Sequence, residues 1–143
     1  MRHPQIVVYE SDGWLAGQVR RLATENSWIV RESRSADACL QILANDGPCV
    51  VLLRLERELM DGLSLLGNLV ERYPDRPVIL VSDVKMEGAE QRSQLSALAL
   101  DLGASYVLFP PLQTSVIEDL VSGLLAAAVR RIVGTVADES DDA

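Results

Sequence analysis

The chain has 143 residues, 48% of them apolar and 4% aromatic, and at about 150 residues folding hides roughly 70% of the unfolded surface, enough for one solid core. Its net charge of -8 repels a phosphate backbone and argues against nucleic-acid binding. No apolar run approaches the ~18 residues that a membrane span needs, and Met1-Arg2-His3-Pro4 leads straight into a strand-like run instead of a signal peptide, so a cytoplasmic protein is expected.

Apolar runs rich in β-branched residues recur at Ile6 to Tyr9, Trp28 to Val30, Val50 to Leu53, Val78 to Val81 and Tyr106 to Phe109. Their apolarity is continuous instead of alternating, which predicts strands covered on both faces, as in a parallel sheet. Helix-period stretches lie between them: Leu15, Val19 and Leu22; Ala36, Cys39, Leu40 and Leu43; Leu63, Leu66 and Val70; Leu95, Leu98, Ala99 and Leu102; and a last one from near Gln113. Asp12 and Ser35 can cap helix starts, Pro74 and Pro77 close the third helix, and Gly103 ends the fourth. Strict strand-helix alternation with short connections implies right-handed crossovers and a doubly wound α/β sheet, its functional crevice at the carboxyl ends of the strands.

The segment VVLLRLERELMDGLSLL, Val50 to Leu66, together with PVILVS at Pro77 to Ser82 and LGASYVLFPPL at Leu102 to Leu112, resembles the response-regulator receiver family. The resemblance covers about residues 5–131. It implies a flavodoxin-like (βα)5 fold with strand order 2-1-3-4-5, as one receiver-like domain over 1–134 followed by an acidic disordered tail over 135–143.

The family's chemistry uses an aspartate nucleophile after the third strand, two acidic residues after the first to hold Mg²⁺, a hydroxyl after the fourth and a lysine after the fifth. Here the nucleophile position falls on Arg54, a cation that cannot form an aspartyl phosphate and repels Mg²⁺. The acidic pair falls on Glu10 and Ser11, or on Tyr9 and Glu10 one residue earlier, and either register loses a carboxylate. The lysine position falls on Pro110, before the family's proline at Pro111; the aromatic switch aligns with Val107 and the loop proline with Glu58. Only Ser82 keeps its role type. The resemblance thus implies a degenerate crevice of Glu10, Ser11, Asp12, Arg54, Glu56, Ser82, Pro110 and Pro111, with no catalysis, cofactor or metal. Arg54 is expected to pair there with Glu10, Asp12 or Glu56, in the place of Mg²⁺.

With the acceptor chemistry gone, function is expected on the fourth and fifth helices. The segment from Ser82 to Gly103 is longer than the resemblance implies and carries the polar run Glu87 to Gln94. In the last helix apolar pairs recur every four residues, so the stripe drifts roughly 40° per step and cannot all face one sheet. Leu95, Leu100, Val116, Leu120 and Val121, continuing through Leu124, Leu125, Val129 and Ile132, are therefore expected to form a self-association or partner surface, most simply a symmetric dimer. A protein-interaction module in bacterial signalling is the leading expectation. A domain that senses a small anion or metabolite in the altered crevice is the alternative, and a phosphorylated response regulator is disfavoured. Other enzymes of this fold class fare no better: His3 is the lone histidine, Cys39 and Cys49 read as buried thiols, and Glu10-Ser11-Asp12-Gly13 lacks a glycine-rich phosphate loop.

Overall fold

The five apolar runs pair in parallel into one sheet of order β2-β1-β3-β4-β5. In chain order the elements are β1 (Gln5–Tyr9), α1 (Trp14–Asn26), β2 (Ile29–Ser33), α2 (Ala36–Leu43), β3 (Cys49–Leu55), α3 (Leu59–Arg72), β4 (Val78–Ser82), α4 (Ala89–Asp101), β5 (Tyr106–Leu108) and α5 (Thr114–Asp141). This computed structural model describes residues 3–45, 47–56, 58–82 and 88–141, with side chains as far as residue 132. The flavodoxin-like doubly wound fold and its strand order agree with the sequence-based expectation.

The central strand explains the two-sided core. Successive side chains of a strand point to opposite faces, so Val51, Leu53 and Leu55 join the helices α2, α3 and α4 on one face, and Val50 and Leu52 join α1 and α5 on the other. All seven residues of β3 are buried. Helix α1 adds Leu15, Ala16, Val19, Leu22 and Ala23 at helical spacing. Helix α2 starts at Ser35, whose Oγ accepts from the amide of Ala38 at 3.1 Å. In α3, a Cβ at Gly62 would strike Leu55 Cδ2, so the glycine of the Met60-Asp61-Gly62 stretch lets the helix close on β3. Gly103 closes the turn after α4 at φ 110.

The structure corrects the expected interface. Leu95 is 7% exposed, Val121 0% and Leu125 4%, so these three belong to the core. The drift of the apolar stripe on α5 is absorbed because α1 lies beside it, with Asn26 Nδ2 donating to Glu118 Oε2 at 3.2 Å. Ile117, Val121, Leu125 and Ala128 form the buried line, while Leu120 and Leu124 pack partly against it. What remains outward is Leu100 at 50%, Val116 at 40% and Ile132 at 38% exposed, with Val129 half-buried.

Two further differences concern helix bounds. Helix α4 begins at Ala89 and has 13 residues, the same number as α1; the earlier part of the expected extra length, residues 83–87, lies outside the described residues. Helix α5 continues to Asp141, where a disordered tail was expected from residue 135. Gly134 costs a helix interior only about 1 kcal/mol and no proline follows, so the chain carries no strong stop there.

Candidate functional site

At the carboxyl end of β1 the backbone of Glu10 still donates to Ser33 O at 3.2 Å, while its side chain turns toward the start of α1. There one carboxylate oxygen accepts from the Leu15 amide at 2.7 Å and the other from the Ala16 amide at 2.8 Å. A carboxylate at these otherwise unpaired amides is favoured by hydrogen bonding and by the helix dipole. Glu10 is 3% exposed.

Arg54 follows Val50 and Leu52 by strand alternation, so it projects to the α1 side just where the apolar core ends. Its Nη1 donates to Glu10 Oε1 at 3.2 Å and to Asp12 Oδ1 at 2.5 Å. Its guanidinium carbon stands 4.9 Å from the centre of the Trp14 ring, within reach of a cation–π attraction. The group is 8% exposed, so its charge is held by fixed protein partners. Asp12 Oδ1 also accepts from the Trp14 amide at 3.0 Å. That amide, and then the bond from Arg54, hold the Asp12 carboxyl below its ordinary value.

Glu56, past the end of β3, accepts from the Ser11 amide at 2.8 Å and from the Ser11 hydroxyl. The end of β3 and the loop after it are thus stitched to the loop after β1 twice, by Arg54 to Glu10 and Asp12 and by Glu56 to Ser11. Beside the stitches lies a cavity of about 270 Å³, walled in part by Tyr9, Arg34, Glu58, Asp61 and Gly62. Burial raises the Tyr9 hydroxyl above its ordinary value, and the negative Asp61 and Glu56 raise it further.

Of the expected crevice residues, Glu10, Ser11, Asp12, Arg54 and Glu56 come together. Ser82 does not line the cavity; it ends β4 in register with Leu55, is 1% exposed, and its hydroxyl has no hydrogen-bond partner among the described residues. Pro110 and Pro111, joined by a cis peptide, also lie outside the lining, beyond β5 at the sheet's edge. Val107 packs on the α3 side of the core with Phe109, and Arg92 of α4 stands 5.4 Å from the Phe109 ring centre. Sequence reasoning missed Trp14 and Arg34. Trp14, directly after the Asp12-Gly13 turn, is one of only two tryptophans, and that rarity was the available signal; Arg34 is brought in by the β2–α2 turn and had none.

The arrangement does not fit Mg²⁺. A hard cation needs open carboxylate oxygens, but both Glu10 oxygens are committed to the helix amides and a guanidinium sits between Glu10 and Asp12. Among the described residues no group of three His, Cys, Asp or Glu is placed to hold a metal ion, and no helix is long and apolar enough to cross a membrane.

No family model matches the chain. It is 33% identical over 114 residues to protein-glutamate methylesterase/protein-glutamine glutaminase 1 of Oleidesulfovibrio alaskensis, covering 74% of this chain and 29% of that protein. The protein of the same name from Rhodospirillum rubrum is 30% identical, covering 86% of this chain and 38% of its own length. The chain therefore spans about a third of these curated relatives. Among solved structures, the signal receiver domain of a putative Luxo repressor protein from Vibrio parahaemolyticus superposes with a TM-score of 0.75 at 17% identity, covering 92% of this chain and 97% of that one. NtrX from Brucella abortus gives 0.74 at 20% identity, over 94% of this chain and 30% of that one. The chain thus has the flavodoxin-like (βα)5 fold that these receiver domains share, and its sequence is similar to about a third of the length of the two methylesterase/glutaminase relatives.

Proposed function

We propose that this domain works without phosphorylation, as a protein-interaction module in bacterial signal transduction, carrying no catalysis of its own. The observation that supports this most is the seat of Arg54. A buried guanidinium stands at the end of β3, bonded to Glu10 and Asp12 and stacked on Trp14, where the family's acceptor carboxylate belongs. Glu10, tied to the start of α1, is not open to bind Mg²⁺. An internal cation thereby substitutes for the metal and holds one conformation of the crevice.

The outward residues Leu100, Val116 and Ile132 on α4 and α5 supply the partner surface, most simply for a second copy of the chain in the cytoplasm. Anion sensing in the crevice is less well supported, because the carboxylates of Glu10, Glu56, Glu58 and Asp61 outnumber Arg34 and Arg54 around it.

Incubation with acetyl phosphate and Mg²⁺, followed by intact mass measurement, is expected to give no phosphate adduct. The variant Arg54→Asp is expected to give none either, since Pro110 supplies no ammonium. An adduct on the native protein mapped to any crevice residue overturns the proposal.

A further inference from the structure

A second cavity, of about 550 Å³, lies at the opposite end of the sheet, where the chain enters β4 and β5, between the end of α3 with the turn after it and α5. Small-molecule sites occupy roughly 300–1,000 Å³, so this cavity has ligand size while the crevice at about 270 Å³ falls short. Its lining includes Arg76, Arg130 and Arg131 against one carboxylate, Asp75. Three arginines at one cavity stand out in a chain of net charge -8 with 13 lysines and arginines in all. The rest of the wall is largely apolar, with Val70, Leu124 and Ala127 among its residues.

We infer that this cavity is a binding site for a small amphiphilic anion, a carboxylate or phosphate head on a short apolar body. Arg76 is a fixed cation: its Nη2 donates to Leu43 O and Asn45 O, each at 3.1 Å, and its Nη1 stands 3.6 Å from Asp75 Oδ2. Its Nε is buried and has no hydrogen-bond partner among the described residues. Arg131, whose Nη2 donates to Asp75 O at 3.4 Å, adds a second guanidinium to the wall. Arg130 is exposed and can fold over an entering anion. The head then meets two or three guanidinium groups while the body lies against Leu124 and Ala127.

Titration of the ¹⁵N-labelled full chain tests this, with sodium octanoate, sodium octyl phosphate, inorganic phosphate and octylamine as separate probes. Octanoate or octyl phosphate is expected to shift the amides of Gly103, Ser105, Leu124 and Ala127 saturably, the better of the two naming the head group. Inorganic phosphate, lacking the body, and octylamine, with the opposite charge, are expected to leave them in place. Arg130→Glu, at an exposed position, is expected to weaken binding at least ~5-fold, consistent with loss of a charge-assisted contact. Ala127→Leu, which fills the apolar wall, is expected to abolish it. Saturable shifts with octylamine, no shifts with either anionic amphiphile, or undiminished binding by Arg130→Glu each overturn the inference. These amides lie at the far end of the strands from Arg54, so the outcome is independent of the phosphorylation test.

Discussion

Arg54 places a buried cation at the end of β3, where the apolar core stops. Its charge is stabilised by Glu10, Asp12 and the Trp14 ring, and the buried member of that set is Glu10, whose side chain is 2% exposed against 58% for Asp12. Removing one partner of a buried pair costs ~3–5 kcal/mol because the other charge is stranded. Glu10 keeps its two amide bonds, so Arg54→Leu is expected near the lower end, about 3 kcal/mol, read as a lower midpoint in urea unfolding; Arg54→Lys should recover part of the loss. Asp12 reports the same contacts by titration. Its lowered value means that its stabilising contribution is present above the ordinary value of 3.8 and is lost as pH falls through the folded one. Carboxyl NMR is expected to show a midpoint below 3.8 in the native protein and only a partial rise in Arg54→Leu, since the Trp14 amide is the larger cause.

At the scale of elements, α5 has two roles along one helix. With 28 residues it runs about 42 Å, more than twice the ~17–20 Å of a typical strand, so only part of it can lie on the sheet. Its buried line and its outward residues should respond differently to truncation. Leu125→Ala is expected to cost about 2–5 kcal/mol, as core leucines do, whereas Val116→Ala on the outward side of the same helix should stay within about 0.5 kcal/mol, as exposed positions do. Both are measurable by thermal or urea unfolding at a concentration where self-association is absent.

For the whole molecule, the two ends of the sheet carry different chemistry: stitched loops with surplus carboxylate at the carboxyl ends, an arginine-lined cavity at the amino ends. Helices α4 and α5 carry outward apolar residues besides, with Leu98 at 47%, Leu100 at 50% and Val116 at 40% exposed. Light scattering coupled to size exclusion is expected to show a concentration-dependent dimer, weakened by Leu100→Glu or Val116→Glu and unaffected by Arg130→Glu. A strict monomer at high concentration removes the self-association part of the proposal.

The fold was legible in the chain because a buried parallel sheet demands continuous β-branched runs, and the runs ending at Tyr9, Leu53 and Val81 announce it without any knowledge of contacts. That Arg54 would meet a carboxylate from Glu10, Asp12 or Glu56 was legible too, since a cation at the end of a buried strand needs one nearby; that Glu10 and Asp12 take it while Glu56 holds Ser11 came from the fold. Three further things were decided only in three dimensions. The pairs of α5 could not be sorted into core and surface until α1 was placed beside it, because helical drift alone fits either outcome. Trp14 beneath Arg54 depends on the angle at which α1 leaves the Gly13 turn, where φ is 83. The arginine cavity joins residues from the approach to β4 and from α5, which are distant in sequence, and no periodicity links residues that only packing brings within reach.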